Sequence, residues 1–178
     1  MTITLHETRD TQSAEYKFME ALLVDAFPEN ERRDLDKQRL NTRDNAMFHP
    51  MLIKADGKWV GLLNYWLLGD IAYVEHFATS PDLRGHGLGA AAMKAAQLSL
   101  KRIVLEVELP DTPLAQRRVG FYRRCGFALC QRPYTQPPYR KGDAPLPMFL
   151  MFLGVDDMDA AFATARAAIH KHVYGVEA

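Results

Sequence analysis

Cysteine is nearly absent from this chain: Cys125 and Cys130 are the only two in 178 residues. Two thiols that close in sequence cannot staple a domain of this size. A disulfide scaffold is excluded, and free thiols in a reducing compartment are expected. An excess of charge of either sign is also lacking. Lys plus Arg and Asp plus Glu number 22 each, so no global field draws the chain to nucleic acid or to an anionic membrane. No apolar run approaches the ~18 residues that span a bilayer. The opening Met-Thr-Ile-Thr-Leu-His-Glu has neither the basic nor the apolar segment of a secretion signal. Internal repeats and low-complexity tracts are missing. The six histidines show no metal-ligand spacing, with His170 and His172 merely flanking Lys171, so no metal is expected. What is present is ordinary for a globular protein, with 48% hydrophobic and 25% charged residues. The expectation is one cytoplasmic domain over residues 1–178, with no nucleic-acid or membrane partner.

Periodicity predicts the elements. Residues 2–6 alternate as a strand. Asp10 or Thr11 is placed to cap a helix whose apolar positions Phe18, Met19, Leu22, Leu23 and Ala26 recur at three and four, until Pro28 ends it. Residues 27–33 read as a loop and 35–43 as a short polar helix. Strands at 51–55 and 58–68 flank Asp56-Gly57, a two-residue hairpin signal, and a third follows at 71–79. The pattern then changes to a helix over 87–100, a strand at 103–109, and a helix over 115–125 closed by Gly126. Strands at 127–131 and 148–153 flank a proline-rich loop over 133–147. A last helix over 156–172 carries acids at its start and bases at its end. The fold class is therefore mixed α/β (α+β). It has a mostly antiparallel sheet of about seven strands flanked by helices, with one central β-α-β crossover.

The most informative segment runs from the strand ending at Thr79 through Ser80-Pro81-Asp82-Leu83-Arg84-Gly85-His86-Gly87-Leu88-Gly89 into an alanine-rich helix. Glycines at 85, 87 and 89 remove side chains where a helix begins, so backbone N–H groups and the positive helix end can close on a phosphate. Arg84 stands beside the same mouth. The plainer reading is a flexible turn. Gly85, Gly87 and Ala90, with Glu106 21 residues after Gly85, also satisfy a dinucleotide fingerprint. That fingerprint needs a tight strand-to-loop junction and repeated β-α-β units, and neither is present here. A P-loop is excluded, since no Gly-Lys-Ser/Thr follows.

Residues 77–89 resemble the acetyl-CoA signature of the GNAT superfamily of N-acetyltransferases, Arg/Gln-x-x-Gly-x-Gly/Ala after the fourth strand. Arg117-Arg118-Val119-Gly120-Phe121-Tyr122-Arg123-Arg124-Cys125-Gly126-Phe127 resembles the family's helix ending in Phe-Tyr-x-x-x-Gly-Phe. The likeness in element order runs from residue 2 to about 153, with the helix at about 156–173 lying beyond it. Gln116 stands where many members have Asn. The resemblance implies acetyl-CoA as acyl donor and direct attack by an amine acceptor, small molecule or peptide, in a ternary complex. It places the pyrophosphate on Arg84, Gly85, His86, Gly87, Leu88, Gly89 and Ala90, and the pantetheine arm along Phe77, Ala78 and Thr79. It also walls the acceptor cleft with residues 27–33 and 133–147. A homodimer stays open.

Acyl transfer to an amine needs a neutral nucleophile, a polarised carbonyl and a proton for the departing thiolate. Two candidate catalytic residues follow. Glu75, on the strand entering the glycine loop between Tyr73 and Phe77, is either a base with a pKa raised by burial or a solvated strand residue. Tyr122 matches the family's general acid, against a plain reading as a core aromatic beside Phe121 and Phe127. Arg117, Arg118, Arg123 and Arg124 are a solvated basic face too small for nucleic acid, or else one of them meets the CoA ribose phosphate. The alternatives to an enzyme are a CoA-binding module without turnover and a nucleotide-dependent protein using the same glycines.

Overall fold

The computed structural model describes residues 1–177. Among them the chain forms β1 (Ile3–Glu7), α1 (Ala14–Ala26), α2 (Leu35–Asp44), β2 (Phe48–Ala55), β3 (Lys58–Leu68) and β4 (Ile71–Thr79). It continues with α3 (Leu88–Ser99), β5 (Ile103–Glu108), α4 (Pro113–Arg124), β6 (Ala128–Gln136), β7 (Leu146–Leu153) and α5 (Met158–His172). The seven strands run in the order β1-β2-β3-β4-β5-β7-β6. This is the helix-flanked mixed sheet that the sequence pattern predicts. The chain divides into two compact units, residues 1–67 with 74–99, and residues 68–73 with 100–177.

In the first unit, β1, β2 and β3 form an antiparallel meander whose hairpin turns on Asp56 and Gly57, both at positive φ. Ser13 caps α1, its hydroxyl accepting from the Tyr16 N–H at 3.1 Å. Of the expected caps Asp10 and Thr11, Asp10 instead accepts from the Gln12 N–H, so the helix starts two to three residues later than expected. Met19, Leu22 and Leu23 of α1 pack on Leu52 and Leu62 of the sheet. The buried stripe of α3, Leu88, Ala92, Met93 and Ala96, recurs at one-turn spacing, and the helix packs against β1. Gly61 of β3 lies so close to β4 that an added Cβ would sit 2.5 Å from the Ala78 carbonyl oxygen.

In the second unit β7 pairs antiparallel with both β5 and β6. β6 and β7 both reach further into the proline-rich segment than periodicity suggests, to Gln136 and back from Leu146. The register of β6 shifts between Cys130 and Tyr134. Pro133 sits inside that bulge, where the ladder asks no N–H of it, so a proline that reads as a strand breaker is absorbed. Thr112 caps α4 by accepting from the Ala115 N–H, with Pro113 in the first turn.

Gly154, just after β7, has φ +72, and an added Cβ would overlap the Lys101 carbonyl oxygen. Gly154→Ala should therefore destabilise the protein by about 2 kcal/mol, from left-handed strain and a backbone clash together. Chemical denaturation of the purified variant measures this, and a loss below about 0.5 kcal/mol would contradict the close approach.

Candidate active site

The segment after β4 makes a short 3-10 turn, Pro81–Leu83, before α3 begins. Gly85 and Gly87 have φ +85 and +72, values that L side chains rarely adopt. An added Cβ at either position meets nothing within 4 Å, so the loop opens on free space. Gly87 immediately precedes α3 and has no side chain with which to cap it. The first-turn N–H groups of Leu88, Gly89 and Ala90 therefore face outward with the positive end of the dipole. Arg84 and His86 are exposed on the same loop. The geometry is that of an anion cradle.

Phe77, Ala78 and Thr79 of β4 are half-buried. The Glu75 side chain is 0% exposed although the residue as a whole is half-buried, so the accessible surface there belongs to its main chain. Residues 75, 77–79 and 84–90 lie in the first unit, and Tyr122 in the second.

Both expectations for Glu75 need correction. It is not solvated, and its pKa is not raised. Burial pushes the carboxyl up, but the charge of Arg33 above all, with hydrogen bonds from Arg33 and Trp66, outweighs it and holds the group below its usual value. Arg33 grips both carboxylate oxygens, donating to Oε1 and, at 3.1 Å, to Oε2, while Trp66 Nε1 donates to Oε2 at 2.9 Å. Arg33 also donates to Gln38 Oε1 at 2.6 Å and lies against the rings of Phe48 and Trp66. A carboxylate held by a buried guanidinium is a poor proton acceptor, because protonation would strand the cation. His76, next in β4, is buried with Nε2 2.9 Å from the Glu31 carbonyl oxygen. Burial above all keeps its pKa below the usual value, so the imidazole is neutral at pH 7.

Sequence reasoning missed Arg33 and Trp66 as the partners of Glu75. The available signal was a lone acid inside a buried strand, which must find a donor somewhere.

Tyr122 is buried on the inner face of α4 with Ala115 and Val119, at one-turn spacing. Its ring meets Phe121 and Phe127 edge-on, at 5.1 and 5.5 Å. Burial pushes its hydroxyl up to about 12, so the group keeps its proton throughout the physiological range. Gln116 donates to the Pro110 carbonyl at 3.1 Å and so closes its own helix start. Arg117, Arg118, Arg123 and Arg124 are exposed, and Arg118 pairs with Glu108 at 3.3 Å. Among the described residues no group of three or more His, Cys, Asp or Glu is placed to hold a metal, and no helix is long and apolar enough to cross a membrane.

Comparison with known proteins matches these features to a family. The family model for the GNAT acetyltransferase domain matches residues 15–127. A solved structure from Bacteroides thetaiotaomicron, described as a GNAT-family acetyltransferase, is 42% identical and covers 99% of this chain and 100% of its own, with a TM-score of 0.92. A Bacillus subtilis protein described as a ribosomal-protein-bS18-alanine N-acetyltransferase is 30% identical over 89 residues. That match takes in 47% of this chain and 56% of the relative, so the chain spans just over half that relative's length. A GNAT-family structure from Elizabethkingia anophelis with acetyl-CoA bound is 16% identical over 86% of this chain and 98% of its own. Its TM-score of 0.56 shows a shared fold. The glycine loop after the fourth strand and the helix that carries Tyr122 thus lie on a chain that belongs to the GNAT acetyltransferase family.

Proposed function

We infer that this acetyltransferase takes acetyl-CoA as donor and transfers the acetyl group to an amine by direct attack in a ternary complex. The observation that carries the reading is the start of α3. The first turn of α3 is preceded by two left-handed glycines, Gly85 and Gly87, with open space where their side chains would be. The pyrophosphate sits on the N–H groups of residues 85–90, with Arg84 adding a charge-assisted contact. The pantetheine arm runs along the main chain of the half-buried Phe77, Ala78 and Thr79, in the manner of an added strand.

Tyr122 acts on the departing sulfur. A hydroxyl at about 12 is a weaker acid than an alkyl thiol near ~8.5, so outright transfer of its proton is uphill. It serves by donating a hydrogen bond to the thiolate as the C–S bond breaks. The proton that finally neutralises the sulfur comes from the nitrogen of the tetrahedral adduct. Glu75 serves the site by holding Arg33 and the β4 main chain in place, while bulk water or another group takes the proton of the incoming ammonium.

Thermal shift tests the donor. Acetyl-CoA at ~100 times Kd should stabilise the protein by about 2.7 kcal/mol, while NAD and ATP should leave it unmoved. Gly87→Val should abolish that stabilisation, since its side chain would strain the left-handed backbone and fill the phosphate's space. Stabilisation by NAD and none by acetyl-CoA would overturn the assignment.

A further inference from the structure

The turn over residues 27–33 joins α1 to α2 with no more regular structure than a three-residue 3-10 helix, Glu29–Glu31. Pro28, Glu29 and Asn30 are exposed at its tip, whereas Arg32 and Arg33 are buried. Side chains tie the turn down. Arg32 Nε donates to the Phe27 carbonyl at 3.1 Å, so one end of the turn closes on the other. Arg33 is held by Glu75 of β4. The next residue of that strand, His76, reaches the same turn at two points. Its Nε2 lies 2.9 Å from the Glu31 carbonyl oxygen, and its ring meets that of Phe27 edge-on at 4.6 Å. A carbonyl oxygen only accepts, so Nε2 carries the proton and donates it. His76 is 2% exposed, and all of these residues lie in the first unit.

We propose that His76 is a positioning residue for donor binding: it ties the turn over residues 27–33 to β4, so that this turn and the main chain of residues 77–79 shift together. His76 immediately precedes Phe77, where the pantetheine contact begins in the acyl-transfer reading. Its imidazole bridges Phe27, before the 3-10 helix, and Glu31, at its end. A strand that takes up an extended ligand needs its N–H and C=O groups at fixed positions, and a buried side chain anchored outside the sheet supplies that constraint. Two anchors side by side, Arg33 on Glu75 and Glu31 on His76, fix both the position and the rotation of the turn relative to the strand. The coupling is reciprocal, so order lent by the turn to the strand returns as order in the turn when the donor binds. The proposal rests on the acyl-transfer reading and adds to it a residue that acts through the backbone rather than on the reacting atoms.

Two substitutions separate the hydrogen bond from the packing. His76→Phe keeps an aromatic ring against Phe27 and removes the N–H that the Glu31 carbonyl accepts. His76→Gln gives up the ring and keeps a side-chain N–H with a reach similar to that of Nε2. Gly154→Ala is the control for lost stability as such, because its clash is with Lys101, in the second unit.

Acetyl-CoA is titrated calorimetrically into the wild-type protein and the three variants, and amide hydrogen exchange is followed over residues 27–33 and 76–90. His76→Phe should weaken acetyl-CoA binding roughly 5-fold or more and speed exchange in residues 27–33 and 76–79, while His76→Gln stays within about twofold of wild type. Gly154→Ala should leave the affinity unchanged. In the wild-type protein, acetyl-CoA should slow exchange over residues 27–33 as well as over 77–90. Should His76→Phe not fold, that wild-type measurement and His76→Gln carry the test. Protection confined to residues 77–90, or unchanged affinity in His76→Phe, would overturn the proposal and leave His76 a packing residue. So would a loss in His76→Gln or Gly154→Ala as large as that in His76→Phe. Failure of the wild-type protein to bind acetyl-CoA would instead overturn the donor reading, so the two failures are told apart.

Discussion

Glu75→Gln should cost about 3–5 kcal/mol of folding stability, because it leaves the Arg33 guanidinium buried without its counter-charge. For a chain of this length that lowers the melting temperature by roughly 6–20 °C. Adding Arg33→Met removes the stranded cation, keeps an acceptor for the Trp66 N–H, and should recover at least half of the loss. The pH dependence has a definite sign. The folded-state pKa of Glu75 lies below the unfolded value of about 4.3. The stabilisation is therefore fully present above that unfolded value and is lost as pH falls through the folded one. Urea titrations at pH 7 and pH 3 read both effects, and the gap between wild type and variant should shrink at the acid end. A stability change below 1 kcal/mol at pH 7, combined with a turnover loss confined to strongly basic amines, would restore Glu75 as the catalytic base.

Tyr122→Phe should lower kcat by roughly 10²-fold, with acetyl-CoA affinity within about twofold of wild type. The substitution keeps the edge-on packing against Phe121 and Phe127 and deletes only the hydroxyl, so the fold should tolerate it. Because that hydroxyl ionises only near 12, the wild-type rate should show no alkaline fall below about pH 10 that the phenylalanine variant lacks. A thiol-release assay over a pH series measures both. Unchanged turnover would make Tyr122 a core residue alone.

Buried Glu106 should act in the opposite direction from Glu75. Its carboxyl is raised, so the stability it contributes is present below the unfolded value near ~4.3 and lost as pH rises through the folded one. Two buried carboxylates in one chain thus respond to pH with opposite sign, and the difference lies in their partners: a guanidinium for one, neutral donors for the other.

The glycine loop and the helix it opens were legible in the sequence because their information is local. Glycines at 85 and 87 are required by the backbone angles of the loop itself, and the helix that follows is encoded in its own apolar spacing. The order of strands and helices is local in the same sense, since periods of two and 3.6 report which face of an element is buried. Its ends were read less well. Ser13 rather than Asp10 caps α1, and β6 continues through Pro133, because a bulge and its partner strand decide whether a proline is tolerated. The roles of the two buried acids were not legible at all. Nothing near Glu75 in sequence announces Arg33, which lies 42 positions earlier, and nothing near Glu106 announces Tyr174, 68 positions later. A carboxylate's pKa depends on what folding brings within hydrogen-bonding distance, and the Coulomb interaction acts through space without regard to position along the chain. The sequence by itself determined the family, the fold class and the place of the glycine loop before α3. Only the tertiary structure decided that Glu75 is held as an anion by Arg33 while the partners of Glu106 among the described residues are neutral donors.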